Sequence, residues 1–328
     1  MNRALSLLRR RLLTSLPVFL IVIVGSFLLL EAAPGDAVDA YLVSVGGDAG
    51  LAAQLRHEWG LDRSAWARFL TFATALVHGD LGWSVAFARP IRDVILERLP
   101  NTLLLMGAAT ALSFGLGSLL GIVAGARPGS ICDRVLSVAS LAIYAVPGFW
   151  LGLVLIVVFS IELRWLPLGG IETIASSRSG LDRGLDIARH LVLPVAALGF
   201  IYLALYLRVM RAGMAEVWRM DFVLALRARG LPQSRIVIAH VARNALLPLV
   251  TLLGLQSASM LGGSVVIESV FAVPGIGRLA HEAVAARDVP LLLGIILSSA
   301  ILVIVVNFLV DIVYAALDPR VGASEERA

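Results

Sequence analysis

Residues 208–245 read RVMRAGMAEVWRMDFVLALRARGLPQSRIVIAHVARNA, and they lie between two charge-free apolar runs, 191–207 and 246–266. Met214, Val217, Trp218, Phe222 and Ala225 recur at the i, i+3, i+4, i+8 and i+11 spacing of one helical face, while Arg219, Arg227 and Arg229 fall on the other. Gly230 is placed to end that helix. Pro232, after Leu231, suits the first turn of a second helix running from Ile236 to Asn244. A basic helix–Gly–helix hairpin hung between two apolar spans is the pattern of a polytopic α-helical membrane protein. An interfacial helix lying on anionic lipid fits the same arginines, but a helix lying flat has less use for the Gly-Leu-Pro break.

The rest of the chain agrees. Its 328 residues are 59% hydrophobic and 15% charged, with a mean hydropathy of +0.90, against about 45–50% apolar and about 25% charged in a soluble domain. A bilayer core needs roughly 20 apolar residues per helix. Six runs meet that length: 12–32, 101–124, 135–160, 191–207, 246–266 and 290–316. The first follows Arg9, Arg10 and Arg11, but its apolar stretch outlasts a signal-peptide core and no good cleavage site follows, so an uncleaved anchor is expected. With the N-terminus inside, 15 arginines fall in 71 cytoplasmic residues and 12 in 117 outer ones. The positive-inside rule therefore places both termini in the cytoplasm. The net charge of +4 then reflects topology; the arginines never gather on one face as nucleic-acid binding would need.

Several chemistries are excluded. All 27 basic residues are arginine, so there is no P-loop lysine, no Schiff-base lysine and no Ser–Lys dyad. The single cysteine, Cys132, rules out an internal disulfide and any multi-thiolate metal site. His57, His78, His190, His240 and His281 fall outside the six runs and lack metal-site spacing. Gly262-Gly263-Ser264 reads as a close-packing or bending site, not a nucleophile elbow. Asp311 alone falls well inside a run and reads as a structural cap, which disfavours an ion-coupled carrier.

Residues 35–98 are too long for a simple turn, and Leu51, Leu55 and Trp59 at helical spacing, stopped by Gly60, suggest a small extracytoplasmic subdomain, with an elaborated loop that docks no partner fitting the composition equally well. Gly117, Gly121 and Gly125 form a GxxxG ladder, and Gly148 and Gly152 a second, for close helix approach. Tyr144, Gln256, Ser257 and Ser259 are candidates to line a pathway, with Ser113, Ser118 and Ser140 beside them; for each, an interhelical hydrogen bond is the competing use.

The residues resemble the inner-membrane permease subunits of binding-protein-dependent ABC importers, in the oligopeptide/dipeptide/nickel group. The likeness runs nearly end to end: 31–36, His78-Gly79-Asp80-Leu81-Gly82-Trp83-Ser84, and Glu97-Arg98-Leu99-Pro100-Asn101-Thr102. Asp221 through Leu231 looks like the family's EAA-type loop, followed by His240 and Arg243-Asn244-Ala245-Leu246-Leu247-Pro248. Glu268-Ser269-Val270-Phe271, Pro274-Gly275-Ile276-Gly277, Arg287-Asp288, Asp311 and Asp318-Pro319-Arg320 complete it, the long first outer segment and the ending resembling the first of two paired permease types. One departure stands: an acidic residue and two alanines are replaced by Leu224, Ala225 and Leu226.

The resemblance implies an all-α, six-span type I importer permease fold in the bacterial inner membrane. Its parts are an N-terminus and first helix in 1–34, an extracytoplasmic subdomain in 35–100, a core in 101–316 and a cytoplasmic tail in 317–328. It implies that the hairpin, through Asp221, Ala225, Arg227, Ala228, Arg229, Gly230, Leu231 and Ser234, docks on a separate ATPase. Two ATPase subunits would hold ATP and Mg²⁺, leaving this chain without cofactor, metal or catalytic residue. A homologous second permease and an extracytoplasmic solute-binding protein complete the expected partners, with membrane lipid around them and no nucleic acid. Peptides are the expected cargo, with nickel chelates, glutathione, opines or sugars as alternatives. An ion-coupled carrier and an intramembrane hydrolase are the competing classes.

Overall fold

The computed structural model describes residues 2–32, 50, 62, 64–174 and 179–317. Leu51, Leu55, Trp59, Gly60, the 318–320 motif and the side chain of Asp311 lie outside the described part. The helices are α1 (Asn2–Ala32), α2 (Ala65–Val77), α3 (Ile91–Ala126), α4 (Ile131–Ala145), α5 (Gly148–Glu162), α6 (Gly180–Val217), α7 (Asp221–Ala228), α8 (Gln233–Val270), α9 (Ile276–Ala285) and α10 (Val289–Leu317). A short antiparallel pair, β1 (Trp83–Ser84) and β2 (Arg89–Pro90), precedes α3 in the register Trp83 to Pro90 and Ser84 to Arg89.

Among the described residues, α3, α6, α8 and the 289–310 part of α10 are each long and apolar enough to cross a membrane. The 101–124 run begins ten residues earlier than expected, and the 191–207 run extends at both ends into a 38-residue helix. Pro100, Pro194 and Pro248 sit inside α3, α6 and α8, positions that spanning helices tolerate when neighbours satisfy the freed carbonyls.

The expected third span, 135–160, is not one straight helix. It breaks between α4 and α5, whose axes differ by 100°. Val146 precedes Pro147 and takes the extended conformation (φ −86°, ψ 129°), because the proline ring crowds the helical region for the residue before it. Pro147, extended itself, then opens α5.

The structure divides into two compact units, residues 1–100 with 279–304 and residues 101–278 with 305–328. In the first, Phe27 of α1 meets the ring of Phe69 on α2 edge-on at 5.3 Å, and Glu31 pairs with Arg68. Gly79 (φ +74°) closes α2: its N–H bonds Leu76 O at 3.0 Å and that of Asp80 bonds Ala75 O at 2.9 Å, the paired bonds of a left-handed cap. Asp288, buried, caps α10 through Leu291 N–H (3.1 Å) and accepts Ser84 O–H (2.6 Å) and Ala86 N–H (2.9 Å). The His78–Ser84 and Arg287-Asp288 motifs, two hundred residues apart in the chain, are thus joined by one carboxylate.

In the second unit α6 is the most buried of the spanning helices. Leu191, Leu193, Ala197 and Leu198 on its first half pack with Leu105, Met106 and Ala109 of α3 and Met260 and Ile267 of α8. On its second half, Tyr206, Met210, Met214 and Val217 pack with Ile236, Val237, Val241, Ala245 and Leu249 of α8. The first glycine ladder is the seam between α3 and α6. A Cβ on Gly117 would lie 2.9 Å from Leu203 O, on Gly121 2.5 Å from Met210 Cβ, and on Gly125 2.8 Å from Met214 Cβ. Gly152 faces the Phe271 ring, and Gly263 faces Leu198 and Tyr202, whereas Gly262 faces open space.

Candidate docking hairpin and its supports

α6 ends at Val217, where Trp218 N–H bonds Met214 O at 2.9 Å. Met220 is extended (φ −76°, ψ 142°), and α7 begins at Asp221, whose carboxylate favours a helix N-terminus. The single helix expected through 214–225 is therefore two. Packing explains the break: at about 100° per residue, Val223 on a straight helix would point away from Met214. With the turn at 218–220, both are buried in the same core, Val223 at 1% exposure and Met214 at 0%.

Gly230 (φ +75°) ends α7. Its N–H bonds Arg227 O at 2.9 Å and Leu231 N–H bonds Leu226 O at 3.3 Å, the two bonds of a Schellman motif. Leu226 and Leu231 both pack on the core, the apolar contact that accompanies this cap. Leu226, where the general loop pattern has alanine, thus serves as an anchor. The second helix of the hairpin is not separate: after Pro232 the chain enters α8, which is π-helical over Ile236–Ala242 and continues to Val270.

Asp221, Ala225, Arg227, Ala228, Arg229, Gly230 and Ser234 are exposed and Leu231 is half-buried. Beside them stand Phe222 and Leu224, the latter 71% exposed. The hairpin therefore presents apolar and cationic groups together while Val223, Leu226 and Leu231 hold it to the core.

Two further contacts were not visible in the sequence. The Trp218 indole N–H donates to Gly125 O at 2.8 Å, and the Arg227 guanidinium lies 5.1 Å from the Trp218 ring centre. Arg211 of α6 forms a forked pair with Asp133 of α4, Nη2 to Oδ2 at 2.9 Å, and Asp133 also accepts Gly129 N–H at 2.8 Å.

The four pathway candidates are not alike. Tyr144 is half exposed on α4, under the Arg208 guanidinium at 4.3 Å. Gln256 and Ser259 are half-buried and exposed on α8. Ser257 is buried and donates to Leu253 O at 2.7 Å. Ser113, Ser118 and Ser140 likewise donate to carbonyls one turn back, Thr110, Phe114 and Ser137. These hydroxyls are satisfied within their own helices, as short hydroxylated side chains in helices commonly are, and not by the interhelical bonds expected. His190 is buried within α6, where its Nδ1–H donates to Asp186 O at 2.8 Å.

At the far end of α8 the chain makes a hook into α9. Glu268, at 0% exposure, accepts Thr102 O–H at 2.8 Å and Arg278 N–H at 3.0 Å. Thr102 Oγ1 accepts Ile276 N–H at 2.8 Å, and Asn101 Nδ2 donates to Pro274 O at 2.7 Å. The free N–H groups of the first turn of α9 thus find acceptors on other elements. Gly275 and Gly277 are required here, since a Cβ on either would meet the Glu268 carboxylate. Asn101-Thr102, Glu268 and the Pro-Gly-Ile-Gly motif are one hydrogen-bonded cluster. Among the described residues no group of His, Cys, Asp and Glu is placed to hold a metal ion.

Residues 117–323, which contain the hairpin, match the family described as binding-protein-dependent transport system inner membrane component. The chain belongs to that family. This permease is 36% identical to the oligopeptide transport system permease protein AppB of Bacillus subtilis (strain 168), over 95% of this chain and 98% of that one. It is 38% identical to the di/tripeptide transport system permease protein DppB of Pseudomonas aeruginosa (strain UCBPP-PA14), over 97% and 98%. Its fold is shared with a chain of the MetNI methionine ABC transporter solved in an inward-facing conformation, with TM-score 0.55 and 17% identity over 69% of this chain and 96% of that one. The permease is a transport subunit of an importer, not an enzyme, and an inner-membrane component that works with other subunits.

Proposed function

We propose that this permease forms half of the translocation pathway for peptides and that α7 with the Gly230 turn docks on an ATP-hydrolysing subunit. Peptide cargo rests on the two relatives named for oligopeptide and di/tripeptide transport. The docking role rests on one observation: α7 exposes Phe222, Leu224, Arg227 and Arg229 while a single buried residue, Val223, and two half-buried leucines fix it to the core. ATP and Mg²⁺ are held by two ATPase subunits and not by this chain. A second permease completes the pathway, and an extracytoplasmic solute-binding protein delivers the cargo. Counting α1 and the bent α4–α5 pair as one crossing each gives six spans, with both termini and the hairpin in the cytoplasm. Residues 35–100 form the outer subdomain, and Tyr144, Gln256 and Ser259 are the remaining pathway candidates.

Gly230→Trp tests the docking role. Among the described residues, nothing beyond its chain neighbours lies within 4 Å of a Cβ at Gly230, so an added side chain starts out into open space and the fold pays mainly the left-handed strain, about 1–2 kcal/mol. Spoiling one well-packed interface position costs on the order of 2 kcal/mol or more, roughly thirtyfold in occupancy. The expected result is a membrane-inserted permease that no longer co-purifies the ATPase subunits and no longer supports dipeptide uptake. Normal uptake would remove the docking role from this turn.

A further inference from the structure

Arg211 and Met214 on the last turns of α6 and Trp218 at its C-cap, still in helical conformation (φ −57°, ψ −24°), occupy i, i+3 and i+7, which makes them one face. That face grips both sides of the turn joining α3 to α4. On one side Trp218 donates to Gly125 O, a carbonyl in the last turn of α3 that has no partner further along its own helix. Met214 packs where a Cβ on Gly125 would stand, so the missing side chain is what lets the indole reach. On the other side Arg211 holds Asp133, which is 1% exposed, in the first turn of α4. Asp133 in turn holds Gly129 N–H, and Ser130 Oγ accepts Asp133 N–H at 3.2 Å, closing the turn on itself. The same Trp218 ring carries Arg227 from α7. A displacement of α7 therefore has a direct route, through one aromatic ring, to the ends of α3 and α4.

We propose that Trp218 and Arg211 are positioning residues forming a two-point clamp, through which movement of the docking hairpin is passed to the α3–α4 turn. The clamp rests on the docking role proposed for α7. Its two points are chemically different: a single indole N–H bond on a helix-end carbonyl, and a guanidinium fork on a carboxylate. Trp218→Phe keeps the ring beside Arg227 and deletes the N–H, whereas Arg211→Lys keeps the charge and deletes the fork.

The turn carries its own reporter, because Cys132 is exposed and is the only cysteine in the chain. The full importer is assembled with cysteine-free partner subunits in lipid, and the rate at which Cys132 reacts with a maleimide is measured with and without ATP and vanadate. Allosteric couplings correspond to changes of roughly 5–150-fold. The expected result is a rate change of about fivefold or more in the wild type that shrinks below about twofold in each variant, with the ATPase subunits still co-purifying. A wild-type rate blind to nucleotide, or a full response in both variants, overturns the clamp. Loss of the ATPase subunits from either variant also overturns it, since the residue then only maintains the shape of the docking surface. Gly230→Trp, run in parallel, reports on docking alone: if it retains both ATPase subunits and uptake, the docking role fails whatever Cys132 does.

Discussion

Gly121→Leu is expected to prevent stable accumulation of the permease, while Gly115→Leu, six residues away on the same helix, is expected to be tolerated. At Gly121 the first carbon of a side chain would lie 2.5 Å from Met210 Cβ and 2.8 Å from Leu207 O. The second of these is backbone, which cannot swing aside. Helices in lipid gain little from apolar transfer and depend on close packing for association, so separating α3 from α6 removes contacts that nothing else replaces. Overpacking of this kind costs typically about 1–3 kcal/mol and more where backbone must move. A leucine has three further carbons to place, so the upper end or beyond is expected. At Gly115 nothing lies within 4 Å, and the added leucine meets only what surrounds the helix. The amount of each variant that persists in the membrane after synthesis is stopped makes the comparison; equal persistence would mean that α3 and α6 do not approach as described.

Glu268→Ala is expected to be the second large loss. The carboxylate is fully buried and accepts from Thr102 O–H and Arg278 N–H. Its removal strands buried donors at the start of α9 and leaves a void. Each hydrogen bond lost is worth about 0.5–1.5 kcal/mol and each buried donor left stranded costs about 1–3 kcal/mol, so a total on the order of 4 kcal/mol is expected. Glu268→Gln keeps the size and one good acceptor, and should fall between. The order wild type, Glu268→Gln, Glu268→Ala in unfolding temperature, and in resistance of the 271–278 hook to protease, checks the assignment. A Glu268→Ala protein as stable as the wild type would show that the carboxylate is not what holds the hook.

Much of this was legible in the sequence, for physical reasons that also set the limit. Apolar runs of spanning length announce helices because lipid leaves few other options, and Gly230 before Leu231 and Pro232 announces a helix end because the left-handed cap wants glycine. The bend at Pro147 was not legible: Pro194 and Pro248 occupy similar apolar runs without breaking them, so a proline alone does not say which helix turns. The break at 218–220 was hidden because Met214, Val217 and Trp218 keep helical spacing up to it, and because Val223, the true anchor, looks off-phase until the turn restores it. The bonds of Trp218 to Gly125 and of Thr102 to Glu268 join residues 93 and 166 positions apart. A single sequence carries no record of which distant polar group answers which, although Thr102 and Glu268 both lie in motifs that the family resemblance picked out.

The docking of α7 on an ATPase subunit is tested most directly by placing a photo-crosslinking amino acid at Leu224, the most exposed large apolar residue of that helix. Illumination of the assembled importer in native membranes should give an adduct between this permease and the ATPase subunit, and Gly230→Trp in the same chain should abolish it. Adducts to lipid alone, in a complex that still hydrolyses ATP and takes up dipeptide, would place the docking surface elsewhere on the molecule.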